Sequence, residues 1–152
     1  MNKKRELSVS ALENGTVIDH IPQGHVLQVM NILNLENFGD QIYFGANLDS
    51  KKFGKKGLIK VSNRFFKSAE INKIALVAPT ATLIEIRDFE VVNKSGVSIP
   101  DEVNKIAKCI NPKCITNNEY VPTSFTVIDK ENLKLKCHYC EKITKKENVT
   151  FV

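Results

Sequence analysis

The sequence predicts an α+β protein in two parts: an N-terminal ferredoxin-like βαββαβ domain over residues 1–97 and a small C-terminal antiparallel β domain over residues 98–152. Three observations predict it. Segments of two-residue and 3.6-residue apolar periodicity follow one another in the order strand, helix, strand, strand, helix, strand. The stretch Asn93-Lys94-Ser95-Gly96-Val97-Ser98-Ile99-Pro100 has the small and ring-constrained residues of a linker. All four cysteines, at 109, 114, 137 and 140, lie beyond it.

In chain order, Leu7, Val9 and Ala11 alternate with Ser8 and Ser10, and Thr16 to Ile21 resumes after the turn signal Asn14-Gly15, giving a kinked first strand. Val26, Val29, Met30 and Leu33 fall at helical spacing, so a first helix runs from Val26 to near Leu35. Gln41 to Leu48 and Leu58 to Asn63 form a hairpin about the polar connection from Asp49 to Gly54. Ser68 suits the N-cap of a second helix, whose Ile71, Ile74, Ala75 and Ala78 share a face before Pro79 stops it. Thr82 to Val92 is one long β-branched strand. In this fold both helices cover one face of the sheet and leave the other open to a ligand or partner. Past the linker, Val103 to Lys108 reads as a helical turn, and Tyr120 to Ile128 and Leu133 to Cys137 as short strands.

Composition narrows the class. No apolar run approaches the roughly 18 residues that span a bilayer, and the start MNKKRELSVS lacks the apolar core of a secretion signal, so the expectation is a cytoplasmic protein without a membrane partner. The sequons Asn93-Lys94-Ser95 and Asn148-Val149-Thr150 then carry no glycan. The net charge of +5 is spread out. Residues 1–97 hold 13 basic and 10 acidic side chains and residues 98–152 hold 9 and 7, so neither half is a basic tail. Small phosphorylated ligands satisfy that charge as well as a polynucleotide does.

Cys109-x4-Cys114 and Cys137-x2-Cys140 are two knuckles 22 residues apart, each able to chelate locally and to meet the other across a hairpin. In a reducing compartment this pattern predicts metal rather than disulfides, and tetrahedral zinc is the expected occupant over an iron–sulfur cluster. Four protein thiolates leave no position open for water or substrate, so the metal is structural. Lys108, Lys113, Lys136 and Lys142 flank the site and either offset its negative charge or form an ordinary solvated surface. His138, between two cysteines, is expected at the surface and not as a ligand.

In the N-terminal domain, Lys56, Leu58 and Lys60 face one way and Gly57, Ile59 and Val61 the other. The apolar set belongs under the helices, which leaves Lys56 and Lys60 on the open face, where His20 and Lys94 could join them around a triphosphate. Lysines there also serve plain solubility. Gly54-Lys55-Lys56-Gly57 lacks the spacing and the Ser/Thr of a Walker loop, and Asp19 beside His20 lacks a nucleophile, with adjacent strand residues expected on opposite faces. Catalysis is not expected.

Four segments carry a resemblance: Gly15-Thr16-Val17-Ile18-Asp19-His20-Ile21-Pro22, Gly54-Lys55-Lys56-Gly57-Leu58-Ile59-Lys60, Leu76-Val77-Ala78-Pro79-Thr80-Ala81-Thr82 and Leu135-Lys136-Cys137-His138-Tyr139-Cys140-Glu141-Lys142. In order, and with the four cysteines, the chain resembles the regulatory chain of aspartate carbamoyltransferase over nearly its whole length. The resemblance implies a non-catalytic subunit in pyrimidine biosynthesis that binds ATP or CTP through its N-terminal domain and pairs with a second copy through that domain. It also implies that the zinc domain docks on separate catalytic chains. The implied nucleotide contacts are Val9, Ala11, Leu12, Asp19, His20, Lys56, Leu58, Lys60, Ile86, Val91 and Lys94, with Lys56, Lys60 and Lys94 nearest phosphate or sugar. Some members bind a second nucleotide with magnesium near the chain start, where Asn2, Lys3 and Lys4 stand here. Ser10, Ile84 and Phe89 replace the Glu, Asn and Tyr of better-known members where the base sits, so effector preference stays open. Two other classes stay open beside this one: a zinc-dependent assembly scaffold with an altered or lost nucleotide response, and a zinc-ribbon nucleic-acid binder.

Overall fold

The computed structural model describes residues 11–152, which divide into two compact units with the boundary between Val97 and Ser98. The expectations placed on Asn2, Lys3, Lys4, Leu7, Val9 and Ser10 lie outside the described residues.

The first unit runs β1 (Gly15–Pro22), α1 (Val26–Ile32), β2 (Ile42–Ser50), β3 (Gly54–Ser62), α2 (Ser68–Val77), β4 (Thr82–Arg87) and β5 (Glu90–Gly96). Its antiparallel sheet has the order β2-β3-β1-β4-β5, the ferredoxin-like arrangement with one strand added at an edge. Ile18, Ile59, Val61 and Leu83 from the sheet and Val29, Leu33, Ile74 and Ala78 from the helical layer are buried, so the core lies between sheet and helices. Two glycines make this packing possible. A Cβ on Gly57 would lie 1.9 Å from Val26 Cγ2, so its absence lets α1 sit on β3, and one on Gly15, at φ +144°, would lie 2.1 Å from the Val61 carbonyl oxygen. His25 joins the helices: its Nδ1–H donates to the Val77 carbonyl at the end of α2, 3.0 Å away.

Several boundaries differ from the expected ones. The stretch from Thr82 to Val92 is a hairpin and not one strand, because Asp88 and Phe89 both take left-handed conformations, at φ +52° and +66°, and reverse the chain. The residues Asn93 to Gly96, expected in the linker, therefore complete β5. α1 ends at Ile32, and Leu35 begins a separate 3-10 turn after Asn34 turns left-handed at φ +54°. Lys67 and not Ser68 is the N-cap of α2, where the Glu70 carboxylate accepts the Lys67 backbone N–H at 3.1 Å.

The second unit is a four-stranded antiparallel sheet of order β6-β7-β8-β9, from β6 (Glu102–Asn104), β7 (Ser124–Asp129), β8 (Lys134–Cys137) and β9 (Ile143–Lys145). The expected helical turn at Val103 is the strand β6, ended by Lys105 at φ +62°. Val103, Ile106, Phe125 and Leu135 form its small core.

Candidate ligand face and metal centre

The metal centre is assembled from the two knuckles. In the first, the Cys114 N–H donates to the Asn111 carbonyl at 3.0 Å. The side-chain amides of Asn117 and Asn118 donate to the carbonyls of Cys109, Asn111, Pro112 and Cys114 at 2.8–3.0 Å, fixing the loop. In the second, Cys137 ends β8 and Glu141, at φ +64°, turns the chain so that its N–H reaches the Cys137 carbonyl at 3.0 Å.

The four sulfurs lie within 4.8 Å of one another, with Cys109–Cys140 at 3.5 Å and Cys114–Cys137 at 3.8 Å. A tetrahedral ion with metal–sulfur bonds of about 2.3 Å needs sulfur–sulfur edges of about 3.8 Å, so this cage and its all-thiol donor set fit such an ion. Thr116 Oγ1 donates to Cys114 Sγ at 3.2 Å and the Tyr139 N–H to Cys137 Sγ at 3.4 Å, which offsets part of the thiolate charge. Of the flanking lysines, Lys136 pairs instead with the Glu141 carboxylate at 3.6 Å. His138 is exposed, and both its ring nitrogens lie 2.7 Å from hydroxyls of β7, Nδ1 from Ser124 and Nε2 from Thr126; it is no part of the sulfur cluster.

The thiols divide into two kinds. Burial pushes Cys109 up to about 12 and raises Cys137. Burial acts the same way on Cys114 and Cys140, but hydrogen bonds from Thr116 to the former, and from the Lys142 amide and Asn111 to the latter, outweigh it, and Cys140 comes down to about 7. The four thiols would hold a dication as thiolates, and its charge would favour the ionised form of the buried Cys109 and Cys137.

The other candidate site lies on the sheet face away from the helices. Cross-strand partners share a face, and the register aligns Tyr43, Lys60, Val17, Ile84 and Lys94 in one row from β2 to β5. Gly57, Ile59 and Val61 are buried beneath, and Lys56, Leu58 and Lys60 are half-buried on this face, as the period-two alternation predicts. Ile86 pairs with Val91 in the row beyond. Three strand spacings of about 4.8 Å separate Lys60 from Lys94, about 14 Å, so the lysines border the face without touching. Burial holds the Lys60 ammonium below its usual range.

Near the end of β1, Asp19 and His20 together oppose Leu58, a two-against-one bulge with His20 at φ +57°. The expectation that adjacent residues here face opposite ways is corrected by this bulge, which brings His20 Nε2 to 4.0 Å from Asp19 Oδ2. Asp19 Oδ1 also accepts from the His20 backbone N–H and from Lys56 Nζ, each at 2.7 Å. His20 Nδ1 lies 3.1 Å from Thr82 Oγ1, and the ring stands edge-on to Phe53 with centroids 5.8 Å apart. The sequence shows residue types but not a bulge.

Toward the start of β1 the same face opens into a cavity of about 280 Å³ lined by Ala11, Leu12, Asp40, Tyr43, Lys60 and Phe89, among others. Ala11, Leu12 and Lys60 were expected at a ligand site. Tyr43 and Asp40 were not, although pairing Tyr43 with Lys60 in the hairpin would have found the first. Asp40 is held by Asn63, whose side-chain amide donates to its Oδ2 at 2.6 Å; that bond and the Gln41 backbone N–H lower its carboxyl below the usual range.

A sheet face bordered by lysines in one unit and, in the other, a small module closed around four thiols with no position left open for substrate fit a regulatory or structural class of protein better than a metal-dependent enzyme. Residues 7–98 match the model of the aspartate carbamoyltransferase regulatory chain, allosteric domain, and residues 101–150 match that of the same chain's metal binding domain. The chain is 55% identical over 149 residues to the aspartate carbamoyltransferase regulatory chain of Bacteroides fragilis, covering 98% of this chain and 97% of the relative. It is 51% identical over 146 residues to that of Pyrococcus abyssi, covering 95% and 96%. The chain belongs to the aspartate carbamoyltransferase regulatory chain family and is a regulatory, non-catalytic subunit. No described helix is long and apolar enough to cross a membrane.

Proposed function

We propose that residues 1–97 form an allosteric domain that binds nucleotide effectors of the CTP or ATP kind on the open sheet face, and that residues 98–152 form a zinc domain that docks on the catalytic chains of aspartate carbamoyltransferase. The observation that carries this reading is the placement of Lys56, Lys60, Lys94 and Asp19 on one face beside a cavity of about 280 Å³, with His20 brought there by the bulge. Lysine ammoniums meet phosphate charge and a recess takes the base. Ala11, Leu12, Leu58, Ile86 and Val91 add apolar surface; the contact proposed for Val9 rests on the resemblance alone, since that residue lies outside the described ones.

A nucleotide regulates only by binding one quaternary state more tightly than another, and a coupling of about 1–3 kcal/mol changes substrate response several-fold or more. The zinc domain passes that bias on. Its four thiolates hold zinc with no vacant position, so the ion's chemistry is to build a docking surface. Two chains pair through the allosteric domain, magnesium enters with any second nucleotide, and the assembly works in the cytoplasm. Calorimetry of the complex with catalytic chains, titrated separately with ATP, CTP and UTP, tests the reading. Saturable heats with a matching change in substrate response are expected, and assembly without either would leave only a zinc-dependent scaffold.

A further inference from the structure

We infer that Thr80 is a positioning residue of the effector site: its hydroxyl clamps the His20 carbonyl and so fixes the bulge that turns the His20 ring onto the open face. The inference rests on the reading proposed above, to which it adds a residue that acts through His20 and not by touching nucleotide.

Thr80 and His20 lie 60 positions apart, and the Thr80 Oγ1–H donates to the His20 carbonyl oxygen at 2.8 Å. Two further contacts hold the same residue. Its backbone N–H donates to Asp19 Oδ1 at 2.7 Å, and its ring Nδ1 lies 3.1 Å from Thr82 Oγ1. Asp19, Thr80 and Thr82 thus grip the amide, the carbonyl and the ring of a residue at φ +57°. That left-handed conformation is unfavourable for a residue with a side chain and persists only where its surroundings over-determine it.

The grip is firm because the turn that carries Thr80 is anchored. Ala78 and Ala81 are buried, at 0% and 1% exposure, and the Ala81 N–H donates to the Ala78 carbonyl at 3.0 Å. Pro79 takes the turn position that its fixed φ favours. Thr80 follows it and is exposed, so burial in the core does not account for its side chain, whose hydroxyl ties the turn to the bulge.

The pose that results sets the His20 ring edge-on to Phe53, with centroids 5.8 Å apart, and Nε2 4.0 Å from the Asp19 carboxylate that also holds Lys56. Without the clamp the bulge is free to relax toward regular extended backbone, where Asp19 and His20 face opposite ways. The ring then leaves the face on which Lys56, Lys60 and Lys94 stand.

The test uses the full zinc-loaded chain as wild type, Thr80→Val, Thr80→Ala and Thr80→Ser. Valine keeps the volume without the hydroxyl and serine keeps the hydroxyl without the methyl, so a packing role and a hydrogen-bonding role predict opposite rescues. The His20 ring signals are followed by NMR in the nucleotide-free chain, where the ring current of Phe53 reports the position of the imidazole, and ATP and CTP affinities are measured by calorimetry. Thr80→Val and Thr80→Ala should shift the His20 ring signals and bind both nucleotides about fivefold more weakly, the range of one net hydrogen bond, while Thr80→Ser matches wild type in both readouts. His20 signals unmoved in Thr80→Val and Thr80→Ala, wild-type affinity in either, or a Thr80→Ser no better than Thr80→Val overturns the clamp and leaves the effector site standing. A wild-type chain that binds neither nucleotide overturns the effector reading and the part of Thr80 in it.

Discussion

Lys56 Nζ lies 2.7 Å from Asp19 Oδ1, and the two side chains keep only 18% and 16% of their exposure. The pair spans the β1–β3 ladder at the bulge, where Asp19 also accepts the His20 N–H at 2.7 Å. Its carboxylate thus holds the lysine and braces a left-handed residue at once.

Asp19→Ala removes both supports. For a pair between the surface and buried regimes the expected cost is about 2 kcal/mol, because the lysine is left largely shielded without a partner. Urea unfolding of the full chain reads it, and an unchanged midpoint would show that the bulge holds itself.

Lys60→Ala removes a cation from the row that Lys94 ends. Nucleotide affinity should fall about tenfold, the range of a charge-assisted contact, while capture of catalytic chains stays intact. Titration of the assembled complex with CTP is the measurement. A response equal to wild type would place the phosphates elsewhere.

Cys114→Ala, or a chelator, should unfold residues 98–152 and leave residues 11–97 folded, since metal binding supplies folding free energy on the order of 10 kcal/mol to a core as small as Val103, Ile106, Phe125 and Leu135. Hydrogen exchange resolved along the chain separates the two units. Protection that persists around Phe125 after metal removal would show that the sheet stands alone.

Gly57→Ala places a methyl 1.9 Å from Val26 Cγ2. Valine's χ1 is stiff in a helix, so the helix must shift bodily, and a loss of about 1–3 kcal/mol is expected. A thermal melt checks it, with Gly39→Ala as a control for glycine replacement where a new Cβ meets no atom within 4 Å.

What could be read without coordinates had a chemical mark. Lysine alternating with Gly57, Ile59 and Val61 shows its face by period two, and the thiol spacings show chelation because so few residue types serve a soft metal. What could not be read lacked one. Asp88-Phe89 turns the chain with a residue that pays no heed to turn preferences, so Thr82 to Val92 looked continuous. His20 joins Asp19 on one side only through a bulge, and the short β6 at Val103 is held by its pairing with Phe125, a partner 22 positions away in the sequence. The cavity drew on Asp40 and Tyr43, which carry no motif and meet Lys60 only through the register of the hairpin.

At residue 89, resilience and recognition pull in opposite directions. Glycine would relax the left-handed turn by about 1–2 kcal/mol and would also strip the recess of an aromatic wall. Directed evolution for heat tolerance alone would drift toward that glycine and return a sturdier chain whose recess had lost its ring.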